Sequence, residues 1–252
     1  MALFGGRRAF LTPEAEDWQV ECWLWHLRQR EVAEQLPRTP LVLPNQDFFP
    51  ALGLSGHARA EAIFEAVKSH AGLSDWPVKL VAQEDMPAFL EGGAFIQHES
   101  SAAGTFRFEN SGEAIITYAP DLIANPAGLI ATLAHELGHY LNETFDCEPP
   151  GDADLNEPAT DVTSIVLGYG IFAANHCLIH ETFETGYRVG KVGYLTEEER
   201  VFSLAIFLEL TDRNPEDAAP YLKKYLAKQL RKAMTYIRSE GVANTLKEQV
   251  HD

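Results

Sequence analysis

Apolar positions fall at helical spacing from Trp18 through Cys22 to Trp25, after Thr12-Pro13-Glu14, a capping hydroxyl followed by proline and acid. This pattern predicts a helix to about Gln35, ended before Pro37, whose tryptophans pack on the body. Leu41 to Pro50 reads as an extended segment with Phe48-Phe49 as a plug into the core. Ala58, Ala62, Phe64 and Val67 predict a second helix from about His57 to His70, both histidines lying exposed at its ends. The period then drops to two. Val78 to Val81, Thr105 to Glu109 and Ala114 to Tyr118 read as strands, and Asn110-Ser111-Gly112 turns the last two into a hairpin. Helical spacing returns from Asn125-Pro126 to Asn142, and again from Asn156 through the uncharged run Val162 to Ile179. Ile179 to Leu195 mixes glycines with alternation and predicts a loop or hairpin. Thr196 to Leu210 and Pro215 to about Glu240 predict helices, followed by a polar tail. Helices at both chain ends around one short run of strands predict an α+β fold, with a small antiparallel or mixed sheet beside the central helices.

The chemistry lies in the central helix, which carries His135-Glu136-Leu137-Gly138-His139. Residues four apart stand one above the other on a helix, so His135 and His139 can bind one Zn²⁺. Glu136 lies beside that face, within reach of water at the metal without being a ligand. Asn156-Glu157-Pro158-Ala159-Thr160-Asp161 then supplies a carboxylate, Glu157, after seventeen intervening residues. Glu157 can complete a His₂Glu set with one position left open. Asp161, one turn later, can accept the second ring N–H of a ligand histidine. Gly128 and Thr132 share the face of the two histidines, and Ser164 and Gly168 share the face of Glu157. Small residues there are expected to let the two helices approach closely.

The two motifs together resemble the gluzincin metallopeptidases, and the Asn-Glu-x-x-Thr-Asp run is similar to the second zinc motif of thermolysin-like enzymes. The resemblance spans roughly thirty residues. It implies that His135, His139 and Glu157 hold zinc, that Glu136 is the general base, that Asp161 orients His135 and that Asn156 orients His139. It also implies a zincin-like fold in which an edge strand above the metal helix holds an extended peptide by backbone pairing. Such enzymes place a His or Tyr after the third ligand to steady the oxyanion. Tyr169, His176, His180, Tyr187 and Tyr194 are the candidates here. Tyr169 and His176 fall in the apolar helix. Tyr187, bracketed by Gly186 and Gly190, is preferred, with His180 second. The expected function is hydrolysis of a peptide or protein substrate. The competing expectation is a regulatory or interaction protein that keeps the fold and metal without turnover.

Composition narrows this picture. The chain has 252 residues, enough for a body at 51–212 flanked by an N-terminal segment at 1–50 and a helical segment at 213–252. A net charge of −17 argues against a nucleic-acid partner. The basic last helix is read as solvated surface, and His98 as a surface histidine. The run Val162 to Ile179 contains Gly168, Gly170, Asn175 and His176, so it is read as a core helix rather than a membrane span. Cys22, Cys147 and Cys177 are odd in number and far apart, which predicts buried thiols in a reducing cytoplasm. The N-terminus lacks the apolar core of a secretion signal.

Overall fold

The computed structural model describes residues 9–51, 53–83, 103–176 and 194–249. Within them the chain is α+β, helical at both ends around one small sheet. The N-terminal helical stretch is broken in two: α1 covers Pro13–Leu27 and α2 covers Arg30–Gln35. Thr12 caps α1 as its side chain accepts from the Ala15 N–H. The expected single helix stops because Gln29 turns extended, and its side-chain amide donates to the Trp25 carbonyl, 3.2 Å away, that the break leaves open. Helix α3 covers Gly56–His70.

Strands β1 (Val78–Ala82), β2 (Gly104–Phe108) and β3 (Ala114–Tyr118) form a mixed sheet in the order β1-β3-β2. β1 runs parallel to β3, and β2 pairs with β3 as the expected hairpin, in the register Gly104 to Tyr118, Phe106 to Ile116 and Phe108 to Ala114. Among the described residues β2 is therefore an edge. Helix α4 (Pro126–Asn142) lies under β2 and β3, capped by Asn125, whose Oδ1 accepts from the Gly128 N–H at 3.2 Å. Its partner α5 (Asn156–Ser164) leads through a π-helical turn at Ile165–Tyr169 into α6 (Gly170–Asn175).

That turn interrupts the core helix expected over 162–179, and Gly168 is the reason. Its φ of 95° is open to glycine, its carbonyl accepts from the Val42 N–H at 3.0 Å, and a Cβ there would lie 2.2 Å from the Pro40 carbonyl oxygen. Gly168 thus serves the contact with the 39–42 segment rather than the approach of α5 to α4. Gly138 serves that approach instead: its Cα faces Thr160 and Thr163, and an added Cβ would sit 3.2 Å from Thr160 Cγ2. Gly128 faces its own cap, Asn125, and Thr132 lies under Gly104 of β2.

The remaining helices are α7 (Glu197–Leu210), α8 (Pro215–Ala218), α9 (Lys224–Glu240) and α10 (Val242–Gln249). Thr196 and Glu199 close a capping box on α7. Pro220 lies in a short 3₁₀ turn between α8 and α9, so the helix expected from Pro215 is broken. The expected polar tail is helix α10: after Gly241 at φ 69°, Val242, Ala243 and Leu246 recur at helical spacing and are buried.

Two buried clusters hold these elements together. One joins Cys22, Trp23 and Leu27 of α1 to Val162, Phe202, Leu204, Leu230 and Leu246. The other joins Phe64 and Val67 of α3 to Ile116 and Tyr118 of β3 and to Leu129, Leu133 and Leu137 of α4. The tryptophans of α1 pack on the body as expected, and their ring N–H groups find acceptors: Trp18 at Pro150 O, Trp23 at Ser203 Oγ and Trp25 at Cys147 O, all within 2.9 Å. Phe48 and Phe49 bracket the His70 ring, which is half-buried rather than exposed. His57 is exposed, yet it stacks on Tyr118. Cys22 is fully buried, whereas Cys147 is exposed, because its loop after α4 leaves the core. Cys177 and His98 lie outside the described residues. No described helix is long and apolar enough to cross a membrane.

Candidate metal centre

Helices α4 and α5 bring His135, His139 and Glu157 together, one ligand atom from each lying within 4.8 Å of the others. His135 Nε2 stands 3.0 Å from Glu157 Oε2, and His139 Nε2 stands 3.5 Å from the same oxygen. Turn-by-turn spacing along α4 supplies the two rings, and the glycine at position 138 lets α5 come close enough to supply the carboxylate.

The far side of each ring has an acceptor. His135 Nδ1 faces Asp161 Oδ1 at 3.2 Å. Asp161 is buried and ionised: burial opposes its charge, but Arg200 and His135 hold its carboxyl below the usual range. The carboxylate can only accept, so His135 Nδ1 carries a proton, and Nε2 is the ring nitrogen turned to the centre. The acceptor for His139 is Thr160. The Thr160 hydroxyl donates to the Asn156 carbonyl at 2.9 Å, so its oxygen accepts from His139 Nδ1, 3.2 Å away. The role implied for the Asn156 side chain thus falls to Thr160, because the amide of Asn156 is exposed at the start of α5 while its main-chain oxygen points along the helix to Thr160. The Asn142 amide also reaches Thr160 Oγ1, at 3.2 Å.

Two ring nitrogens and a carboxylate converging on one point call for a positive charge among them. The electrostatics carry the same signature. Burial works against a charged His135, yet the Asp161 and Glu157 carboxylates outweigh it and hold the ring up at about 10. Burial likewise opposes the Glu157 charge, but the two histidines push its carboxyl below the carboxylate range. A proton meets this demand, and so does a divalent cation, for which two imidazoles and one carboxylate are a suitable donor set. The group can hold a metal.

Glu136 is buried at 6% exposure, and Gly104 of β2 lies over it, 3.0 Å separating its Cγ from where a Gly104 Cβ would stand. Burial raises its carboxyl above the usual range, although both histidines pull the other way.

Of the five oxyanion candidates, the preferred pair, Tyr187 and His180, lies outside the described residues. Tyr169 is buried and donates to Val67 O at 2.7 Å, so it serves the core, and His176 ends α6 beside Lys223. Tyr194 is at the centre. Its ring centroid lies 5.6 Å from that of His135, and burial, with the Glu157, Glu136 and Asp161 carboxylates and a hydrogen bond to Glu157, raises its phenol well above the ordinary range. It therefore remains an O–H donor.

Asp161 also anchors Tyr194. Its Oδ2 accepts from the Leu195 N–H at 2.9 Å and from Arg200 Nη2 at 2.7 Å. Arg200, fully buried on α7, donates further to Ala173 O. Sequence reading missed Arg200 because nothing local marks a buried arginine. Thr160 was within reach, lying one residue before Asp161 and three after Glu157.

Thr160→Val keeps the shape and removes the acceptor. It is expected to weaken metal retention by roughly 10- to 100-fold, with Thr160→Ser close to the parent. Competition against a chromogenic chelator measures both. Comparison of the chain with models of known families, with curated proteins and with solved structures gives no match.

Proposed function

We propose that the chain is a zinc-dependent peptidase of zincin type, in which His135, His139 and Glu157 hold the ion. The observation that carries the proposal is the convergence of two Nε2 atoms and a carboxylate, each ring fixed from behind, next to a buried glutamate that takes no part in the triad. A structural site has no use for that glutamate. When bound, zinc supplies Lewis acidity, which lowers the pKa of water towards about 7 and polarises a substrate carbonyl.

The chain's own residues supply the rest. The edge of β2 receives an extended peptide by backbone pairing and lays it along α4. Glu136 takes the proton of the attacking water on its carboxylate and delivers it to the nitrogen of the departing amine, so it ends the cycle unchanged. Tyr194 donates its O–H to the carbonyl oxygen as that atom gains charge, and Asp161 holds Tyr194 in place through the Leu195 N–H. Burial of His135 and Glu136 keeps bulk water from competing for these groups.

Zinc-loaded chain incubated with a diverse peptide mixture is expected to cut peptides, to stop when a chelator removes the metal and to resume when zinc is restored. Retained zinc without cleavage would leave a binding role in place of the enzyme. Tyr194→Phe is expected to lower turnover by about 10²- to 10³-fold at unchanged zinc content, as single steps of oxyanion stabilisation do. Full turnover in that variant would assign the donor to another residue.

A further inference from the structure

An aromatic patch lies beside the proposed catalytic glutamate. Thr132, Glu136 and Tyr140 form one stripe of α4, a turn apart, and β2 runs along this stripe. Gly104 lies over Thr132 and Glu136. Two residues on, Phe106 stacks on Tyr140 with centroids 5.4 Å apart. Four residues on, Phe108 meets Tyr140 edge-on at 5.6 Å, and Trp76 closes the cluster at 4.7 Å from Tyr140. Gly104, Phe106 and Phe108 alternate onto one face of the strand, the face turned to α4. Phe108 is 47% exposed, an unusual position for a phenylalanine already within a ring cluster.

On the peptidase reading, which this inference rests on and deepens, we infer that Phe106, Phe108 and Tyr140 form a specificity subsite for a bulky apolar side chain two positions along the peptide from the residue whose carbonyl reacts. The argument is one of register. A peptide paired to β2 has its residues opposite Gly104, Phe106 and Phe108 on the same face, and cross-strand neighbours lie about 4.5–5.5 Å apart. The residue opposite Gly104 stands over Glu136, where the reacting carbonyl belongs. The residue opposite Phe106 is two positions away, and its side chain falls against the Phe106, Phe108 and Tyr140 rings. An apolar or aromatic side chain there covers exposed ring surface, whereas a charged one loses hydration against rings that carry no opposite charge. Gly104 is the one position in this row without a side chain, and the Thr132 and Glu136 contacts explain why.

The test is cleavage-site mapping by mass spectrometry on a peptide library, for the zinc-loaded parent, Phe108→Lys and Phe108→Leu. The parent is expected to favour Phe, Leu or Met at one fixed position, two along the peptide from the residue whose carbonyl is cut. Phe108→Lys should lower kcat/KM for those peptides about 10- to 100-fold through KM, and should admit Asp or Glu at the same position. Phe108→Leu should keep the preference. A parallel measurement uses fluorescence polarisation of a labelled Ala-rich peptide, with or without a single Phe, on zinc-loaded Glu136→Gln. The Phe is expected to tighten binding about 10-fold, and Phe108→Lys added to that background should remove the gain. Cleavage indifferent to the position, or a preference that survives Phe108→Lys, overturns the subsite. A Phe-dependent gain in binding without cleavage by the parent would keep the subsite and overturn the peptidase, and neither gain nor cleavage overturns both.

Discussion

Glu136→Gln is expected to lower peptide turnover by up to about 10⁴-fold while the chain keeps its fold and its zinc. The glutamine has the size and outline of the glutamate, so it fits the same space beneath Gly104. It cannot accept a proton at neutral pH, and proton transfer from water to the departing amine is the task assigned to this position. Metal content should not move, because Glu136 is outside the His135, His139 and Glu157 group. The variant is to be assayed beside His139→Ala, which should lose zinc and turnover together. Parent-like turnover in Glu136→Gln would remove it as the general base, and loss of zinc would show that it serves the ion instead.

The second large effect lies 39 residues from Asp161 in sequence, at Arg200. Its guanidinium is fully buried and meets Asp161 Oδ2 at 2.7 Å, while the other oxygen of the carboxylate faces His135. Arg200→Ala leaves the buried Asp161 carboxylate without the guanidinium that faces its Oδ2. Breaking such a pair from one side costs about 3–5 kcal/mol. In a chain of this size that lowers the melting temperature by on the order of 10 °C. The pH dependence follows from the depressed carboxyl of Asp161. Its ionised form is the one stabilised on folding, so the contribution is complete above the ordinary carboxylate range near 4 and is lost as pH falls through the lower folded value. The deficit of Arg200→Ala should therefore be greatest near neutrality and shrink in acid, where a protonated Asp161 no longer needs a cation. Thermal melts of both proteins from neutral to acid pH measure this. A pH-independent deficit would mean that Arg200 acts by packing alone.

The hairpin, the bounds of α4 and the α+β class were legible because each rests on local rules. Alternation marks β2 and β3, and Asn125-Pro126 marks the start of α4. The four-residue spacing of His135 and His139 is a property of any helix, so one face of the candidate site was readable before any tertiary contact was known. Its other parts were not. The Gly168 turn and helix α10 each depend on a segment distant in sequence or on a buried face whose partner the local pattern does not name.

The placement of the supporting groups was likewise decided by the tertiary structure. Thr160 rather than Asn156 stands behind His139 because of where the α5 backbone points relative to α4. Tyr194 comes to the centre because Asp161 Oδ2, which already accepts from Arg200, also accepts from the Leu195 N–H. The sequence by itself determined which residue types could form a two-histidine, one-carboxylate group and on which helical faces they lie. Only the packing of α7 and β2 on those helices decided which neighbours orient, charge and cover that group, since such contacts join residues that no local periodicity relates.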